Sequence, residues 1–166
     1  MSALPLDGLR VVDSTDQRGE LAGRLLGDLG AHVVRLEPPD GAPSRRLAPC
    51  RGEHSLFFAV RNTNKESATV DFASTEGRAG LRRLLSEADV WIDGGLAGVD
   101  LLRAMTADLG HLVVVSVSDF GLDGPYSGYA GTDPVLVALG GLLFRAGVPE
   151  LPPVLPPGQM AYDVAG

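Results

Sequence analysis

The amino-acid sequence predicts an α/β protein with a Rossmann-like, open and mostly parallel sheet that carries helices on both faces. Short apolar runs alternate along the chain with segments whose apolar residues recur at helical spacing, which is typical of successive βαβ units. The composition, with 45% hydrophobic and 21% charged residues, is that of a globular domain with a sizeable core. No internal repeat or low-complexity segment interrupts this pattern.

The strands are predicted from short runs rich in Val, Ile and Leu that are bounded by turn residues. Trp91 lies in one of these runs, and we expect it in the core of the sheet. The predicted strands, in chain order, are residues 9–13, 32–36, 68–72, 89–93 and 112–117.

The helices are predicted from leucines three or four positions apart, followed by glycine or a polar turn. The first helix, residues 20–29, has four leucines on one face, and Gly30 ends it. Residues 40–52 are predicted to form a surface loop, and the type of residues 55–60 is open. The other predicted helices begin at Thr75 or cover residues 99–109 and 133–144.

Charge and composition exclude several classes of function. The net charge is −7 and the chain has no basic run, which argues against nucleic acid or an anionic membrane as partner. The amino terminus does not resemble a signal peptide, and no apolar stretch is long enough to span a bilayer. Cys50 is the single cysteine, so we expect a reducing, cytoplasmic compartment. The three histidines lack metal-ligand spacing, and no metal is expected.

The common nucleotide and nucleophile motifs are also missing. The loop after the first strand, residues 13–19, lacks the G-x-G-x-x-G pattern of dinucleotide-binding proteins. The chain contains neither a P-loop nor a G-x-S-x-G nucleophile elbow. From the residues alone, the prediction is a Rossmann-like domain whose ligand, expected at the carboxyl ends of the strands, is open.

Several ordered blocks resemble the family III CoA-transferases, a group that includes formyl-CoA and carnitine CoA-transferases and α-methylacyl-CoA racemases. The most specific block runs from Leu25 to Pro39 and contains the sequence LLGDLGAHVVRLEPP. The other blocks are residues 6–13, 62–65 with 70–72, 88–90 and 116–126. The resemblance implies a protein that moves CoA between an acyl-CoA and a carboxylic acid. Coenzyme A would then be a substrate, with no tightly bound cofactor.

The resemblance places the catalytic carboxylate at Asp163. In the implied mechanism this carboxylate attacks an acyl-CoA thioester, and an aspartyl-CoA thioester follows. Gly140, Gly141 and Gly166 are candidates for backbone N–H groups that approach the oxyanion. The alternative role for Asp163 is a helix N-cap, because a Val-Ala-Gly run follows it.

The resemblance also implies residues that contact CoA. Gln17 lies in the loop after the first strand, where the family contacts CoA or the acyl group, and its alternative is a solvated amide. Lys65 is a candidate for a CoA phosphate or, equally, an exposed loop charge, and the further candidates are Arg45, Arg46 and Asn64. Asp133 matches a family Asp that supports the site, or it caps the helix that follows Thr132.

The sequence departs from the family pattern at three places. Pro38 replaces a common Arg, and residues 94–98 replace an aromatic-Arg-Pro-Gly loop, so CoA affinity is in question. Thr132 stands where racemases have His, and because Thr cannot act as a base near neutral pH, racemase activity is the weaker interpretation. The alternatives are a non-catalytic half that serves as a scaffold or partner subunit and, further off, an unrelated Rossmann-like binding domain.

The resemblance divides the chain into residues 1–130, a CoA-binding domain, and residues 131–166, a helix and Pro-rich segment leading to Asp163. Family members are longer and form interlocked dimers, so the expected partner is a second copy or a second half. We expect the carboxyl end to be incomplete and the 166-residue piece to be weakly active or inactive.

Overall fold

The computed structural model describes residues 4–95 and 98–165. Seven strands occur in this part of the chain: β1 (Arg10–Ser14), β2 (His32–Glu37), β3 (Cys50–Arg51), β4 (His54–Ser55), β5 (Glu66–Thr69), β6 (Val90–Asp93) and β7 (Val113–Ser116). The α-helices of the same residues are α1 (Glu20–Asp28), α2 (Leu56–Arg61), α3 (Thr75–Ser86), α4 (Gly98–Thr106), α5 (Asp133–Leu139) and α6 (Met160–Ala165). Two short 3₁₀ helices cover Pro43–Arg46 and Leu142–Arg145.

Five strands form one sheet in the order β5-β2-β1-β6-β7, and each neighbouring pair is parallel. Val12 at the centre of β1 is in register with Val34 on one side and Trp91 on the other. Strands β3 and β4 form a separate antiparallel hairpin, in which β3 lies at the end of the predicted surface loop and β4 follows it. The predicted α/β architecture with an open parallel sheet is therefore confirmed.

Helices cover both faces of the sheet. On one face α3 and α4 bury a large cluster that includes Val12, Leu36, Leu81 and Trp91, and the Trp91 side chain is fully buried as predicted. On the opposite face α1 covers a smaller cluster built around Val11, Val33 and Ile92. The hydrophobic effect of burying these branched side chains is the main stabilising contribution to the sheet.

The structure decides one segment that the sequence left open and differs from the prediction at two others. Residues 55–60, whose type was open, form α2, because the Ser55 hydroxyl accepts a hydrogen bond from the Phe58 N–H (3.1 Å) and caps the helix. The predicted helix over residues 133–144 ends at Leu139, because Gly141 adopts a left-handed conformation (φ 76°). The strand predicted at residues 68–72 is displaced toward the amino terminus, because the chain turns at Asp71.

A buried charge network lies beneath the first turn of α1. It consists of Asp13, Glu20, Arg35 and Lys65, all with side chains no more than 2% exposed. Lys65 Nζ lies 2.7 Å from Asp13 Oδ2, and Arg35 Nη2 lies 2.7 Å from Glu20 Oε1. Two cations thus compensate two anions, which the apolar surroundings require.

Lys65 connects this network to three elements. Its ammonium group donates to Asp13 on β1, to the Glu20 carbonyl on α1 (2.7 Å) and to Asn62 Oδ1 at the end of α2 (2.9 Å). Burial lowers the pKa of Lys65, and the negative charge of Asp13 opposes this effect. The three hydrogen bonds use all the donors of the ammonium group.

No helix of residues 4–95 or 98–165 is long and apolar enough to cross a membrane. The same residues contain no group of three or more His, Cys, Asp or Glu side chains placed to hold a metal ion.

We predict that Lys65→Met lowers the free energy of unfolding by about 3 kcal/mol, because it leaves two buried carboxylates, Asp13 and Glu20, with Arg35 as the one remaining cation of the network. Urea unfolding at neutral pH measures this change. Arg83→Met is the matched control, since Arg83 is exposed on α3, and it should change stability by less than about 0.5 kcal/mol. Equal stability of the two variants would contradict the prediction.

Candidate active site at the carboxyl edge of the sheet

The loop between β1 and α1 meets the start of α6 at the carboxyl edge of the sheet. Gln159 Nε2 donates a hydrogen bond to Gln17 Oε1 at 3.2 Å. Arg18 is fixed beside it, with Nε 2.8 Å from Asp16 Oδ1 and Nη1 3.4 Å from Asp119 Oδ2. The hydrogen bond to Asp16 raises the pKa of Arg18, so its charge is secure. We call these residues, Asp16, Gln17, Arg18, Asp119 and Gln159, the β1–α1 corner.

Asp133 holds the first turn of α6. Its Oδ1 accepts hydrogen bonds from the N–H groups of Ala161 (2.7 Å) and Tyr162 (3.2 Å). Asp133 is itself the first residue of α5, the helix after Thr132, so it caps α6 and not α5. Because Asp133 is buried, a charged oxygen is available to these N–H groups without competition from water.

Asp163 is the fourth residue of α6. Its N–H donates to the Gln159 carbonyl (2.8 Å), so it lies within the helix, and the N-cap alternative is wrong. Its Oδ1 forms an ion pair with Arg61 Nη1 at 2.5 Å, and 34% of the side chain is exposed. The hydrogen bonds of the described residues include none to Oδ2. Asp163 therefore has one oxygen in a close ion pair and a side chain that is one-third exposed, one helical turn from the β1–α1 corner.

A groove of about 960 Å³ lies on the other side of α6. Its walls are mainly apolar and come from α1, β7 and α6, and Val115 on β7 remains 45% exposed. Tyr162 lines the groove and is itself largely buried, and this burial raises its pKa, with Asp119 adding to the shift. Asp163 does not line this groove, so the accessible carboxylate and the apolar groove occupy different sides of the helix.

A second cleft, of about 680 Å³, lies where β2 and β5 end. Pro38, Val70 and Phe72 line it, together with the cation Arg78 and the carboxylate Asp100. The cleft is therefore at the carboxyl edge, where open parallel sheets bind ligands. The departure from the family pattern at Pro38 thus falls in the wall of this cleft.

The point where the strand order reverses, between β1 and β6, is closed by the protein itself. A Cβ on Gly94 would lie 2.8 Å from Thr15 Cα, and Arg18 Nη2 donates to the Gly94 carbonyl (2.7 Å). Asp93, at the end of β6, accepts from Ser14 Oγ (3.2 Å), and burial raises its pKa. Of the loop at residues 94–98, positions 96 and 97 lie outside the described residues.

Arg45 and Arg46 lie in the 3₁₀ helix after β2. Arg45 makes a bidentate pair with Glu37 (2.6 and 2.7 Å), and its guanidinium lies 4.0 Å from the Phe58 ring centroid. Burial opposes the charge on Glu37, but hydrogen bonds from Arg45, Ser67 and the Ala42 N–H together outweigh it and lower the pKa of Glu37 to about 2. Arg46 is exposed and donates to the Asp40 carbonyl. The predicted contacts of these arginines with CoA stay predictions, and the guanidinium of Arg45 is already hydrogen-bonded to Glu37.

Asn64 and Lys65 are not brought together with Asp163. Asn64 has a positive φ (64°) and donates to Asp28 Oδ1 (2.7 Å), which places it before β5, at the amino edge of the sheet. Lys65 is neither an exposed loop charge nor free for a phosphate, because its side chain is 1% exposed and fully hydrogen-bonded. The structure gives both residues internal contacts.

Gly140 and Gly141 lie at the carboxyl end of α5. Their N–H groups donate to the carbonyls of Leu136 (2.8 Å) and Ala138 (3.0 Å), so neither donor is free for an oxyanion. Gly166, the third glycine considered for this role, lies outside the described residues.

Sequence reasoning missed Arg18, Arg61 and Gln159. Arg61 follows a segment whose type was open, and its contact with Asp163 spans about one hundred positions of the chain, so no local pattern indicates it. The position of Arg18, one residue after Gln17, was a usable signal, because charged residues in the loop after the first strand lie at the ligand edge.

Residues 6–166 match the family model described as CoA-transferase family III. The chain belongs to this family. Family III CoA-transferases similar to it include the protein named "Probable CoA-transferase Rv1866" of Mycobacterium tuberculosis, which is 41% identical over 151 residues, 88% of this chain and 19% of the relative. Subunit BbsE of succinyl-CoA:(R)-benzylsuccinate CoA-transferase from Thauera aromatica is 35% identical, covering 94% of this chain and 40% of that subunit.

A solved structure shares this fold. The CAIB/BAIF family protein from Brucella suis superposes with a TM-score of 0.85 at 35% identity, over 97% of this chain and 46% of that chain. The chain thus spans less than half the length of these CoA-transferase relatives.

We predict that Asp133→Ala loosens the first turn of α6, at a cost of about 1 kcal/mol for a lost cap. Hydrogen exchange of the Ala161 and Tyr162 amides measures this loss and should become faster. Asp133→Asn retains an oxygen acceptor and should have a smaller effect. Unchanged exchange in Asp133→Ala would show that the cap does not hold α6.

We predict that Glu37 contributes to acid resistance. Its pKa of about 2 in the folded state is below the ordinary value of 4.5, so its stabilisation is complete above pH 4.5 and is lost as pH falls toward 2. Because Arg45 is 46% exposed, solvent weakens its attraction to Glu37. We therefore expect Glu37 to add about 2 kcal/mol to the free energy of unfolding. In urea unfolding between pH 2 and 7, Glu37→Gln should remove this pH dependence, whereas the exposed Glu53→Gln should retain it. A pH dependence unchanged in Glu37→Gln would contradict the assignment.

Proposed function

We propose that the protein transfers CoA between an acyl-CoA and a carboxylic acid through an aspartyl-CoA thioester on Asp163. The observation that carries the proposal is the placement of this carboxylate: α6 holds it one turn from the β1–α1 corner, with Oδ1 paired to Arg61 and Oδ2 unpaired. Membership in the CoA-transferase family III supports the reaction class.

The first step is attack of Asp163 Oδ2 on the thioester carbonyl. The C–S bond breaks, CoA leaves as the thiolate, and a mixed anhydride forms between the acyl group and Asp163. The thiolate then attacks Cγ of Asp163, releasing the donor carboxylate and leaving an aspartyl-CoA thioester. The acceptor carboxylate takes the CoA by the reverse of these two steps, so no oxidant or reductant is needed.

We propose that the nucleotide end of CoA lies in the cleft beside Pro38 and Phe72. The ring of Phe72 and the flat face of Pro38 suit an adenine, and Arg78 supplies a cation for phosphate. The pantetheine arm would run along the carboxyl edge to Gln17. The amide of Gln17, which is only half-buried, is the available side-chain donor at that corner for a developing oxyanion.

The second candidate is a half that acts with another chain. Two relatives carry names of subunits, BbsE of Thauera aromatica and the alpha subunit of succinyl-CoA–L-malate CoA-transferase of Chloroflexus aurantiacus. The apolar groove beside α6, with Val115 exposed, favours a partner surface in this protein. We propose a second copy as the default partner and the cytoplasm as the compartment.

We predict that the natural, full-length polypeptide forms a covalent adduct on Asp163 when given acyl-CoA. Succinyl-CoA, acetyl-CoA and formyl-CoA are suitable donors, since relatives are named for them. Hydroxylamine should convert the activated residue to a hydroxamate, which peptide mass spectrometry locates.

Asp163→Asn is the control. It should abolish the adduct and lower the transfer rate at least about 10³-fold. Wild-type protein that binds acyl-CoA and gives no adduct would leave only the partner role. An adduct that persists in Asp163→Asn would place the nucleophile elsewhere.

A further inference from the structure

Arg61 is held in an unusually confined setting for a surface arginine. It is the last residue of α2, and its side chain is only 11% exposed. The guanidinium lies 4.4 Å from the centroid of the Phe57 ring, and Nη1 faces Asp163 Oδ1. A planar cation stacked on an aromatic ring has few alternative rotamers, so the charge stays where Asp163 needs it.

The end of α2 is fixed by contacts on both sides of Arg61. Arg24 on α1 donates to the Val60 carbonyl (2.6 Å), and Lys65 in the buried charge network donates to Asn62 Oδ1 (2.9 Å). These hydrogen bonds therefore connect the backbone at Arg61 to the core of the domain. The pair between Arg61 and Asp163 is a contact between two rigid supports, α2 and the capped start of α6.

A mixed anhydride on Asp163 would have two carbonyl carbons that a thiolate can attack. Attack on the acyl carbon reforms the donor acyl-CoA and returns the reaction to its start. Attack on Cγ of Asp163 forms the new C–S bond, breaks the bond between Cγ and Oδ2, and releases the donor carboxylate with both electrons of that bond. While the anhydride carries the donor acyl group, only the second path leads on to transfer. The acceptor carboxylate later attacks the same carbon, Cγ, when it consumes the aspartyl-CoA, so stabilising charge at this centre serves both halves of the reaction.

We infer that Arg61 makes this choice: it directs the returning thiolate to Cγ of Asp163. The inference rests on the proposed function and adds to it a residue that selects between the two carbonyls. Because Arg61 pairs with Oδ1, the acyl group is attached at Oδ2, and Oδ1 becomes the aspartyl carbonyl oxygen of the anhydride. Arg61 still faces that oxygen when the acyl group is in place.

The selection is electrostatic. When the thiolate attacks Cγ, negative charge builds on Oδ1, and Arg61 Nη1 is already positioned to stabilise it. When the thiolate attacks the acyl carbon, the charge builds on a different oxygen, bound to a different carbon, which the pair does not face. Because Arg61 Nη1 lies against Oδ1, the stabilisation applies to the path through Cγ.

The test is the partition of hydroxylamine between the two carbons. Hydroxylamine attack on Cγ, in the anhydride or the aspartyl-CoA, gives a protein hydroxamate at Asp163, whereas attack on the acyl carbon gives a free acyl hydroxamate. Full-length protein is treated with succinyl-CoA and hydroxylamine, both products are quantified, and the free hydroxamate formed with Asp163→Asn is subtracted as background. The ratio of protein hydroxamate to free hydroxamate reports the choice of carbon.

We expect Arg61→Ala to lower this ratio by about 10²-fold, the usual effect of removing one donor from an oxyanion. Arg61→Lys keeps a cation near Oδ1 and should recover part of the ratio, and added guanidinium ion should do the same for Arg61→Ala. Arg83→Ala is the matched control, since it removes an exposed arginine on α3 that has no place in the site, and its ratio should equal that of the wild type.

An unchanged ratio in Arg61→Ala, or an equal fall of both products, would overturn the inference, because a merely structural role moves both together. If Arg61→Ala does not fold, as judged by circular dichroism, Arg61→Gln and Arg61→Lys carry the same comparison. Wild-type protein that gives neither hydroxamate above background would instead refute the proposed function, and this outcome is distinct from a changed or unchanged ratio.

Discussion

The ion pair between Lys65 and Asp13 is the interaction on which the rest of the structure depends. It lies beneath the amino-terminal turn of α1 and ties that helix to β1 and to the end of α2. Separating such a pair leaves an unpaired charge in an apolar interior, which costs more than most single contacts. Both the loop that begins the candidate site and the helix that supplies Arg61 are therefore anchored to one buried point.

Short polar contacts also position the residues of the candidate site. Gln17 holds Gln159, Asp133 caps the helix that follows, and Arg61 pairs with Asp163. Each contact joins segments that are distant along the chain and adjacent in space. The Asp163 carboxylate lies on the short helix α6 and is thus positioned by side chains from three separate parts of the sequence.

The sequence predicted the sheet well because the signal is local. Strands such as β1 and β6 are continuous Val- and Ile-containing runs, and α1 has leucines at helical spacing. The spacing of apolar residues and the residue composition were therefore sufficient to predict these elements. The type of residues 55–60 stays open from the sequence because a six-residue apolar segment fits a strand or a helix equally, and the Ser55 cap decides between them.

The candidate site was predicted less completely for the opposite reason. Family resemblance pointed to Asp163, but Lys65 looked like a loop charge because nothing in its neighbours reveals that Asp13 and Glu20 enclose it. Gly140 and Gly141 looked like free donors, whereas the end of a helix uses their N–H groups. Contacts over long separations decide these roles, and a single sequence does not contain them.

The burial of Lys65 has one more consequence. It is the only lysine in the 166 residues, and its amine is enclosed and fully hydrogen-bonded. Thioesters, the substrates of the proposed function, acylate exposed amines without any catalyst. This chain offers them no accessible lysine amine, because its remaining basic side chains are guanidinium and imidazole groups.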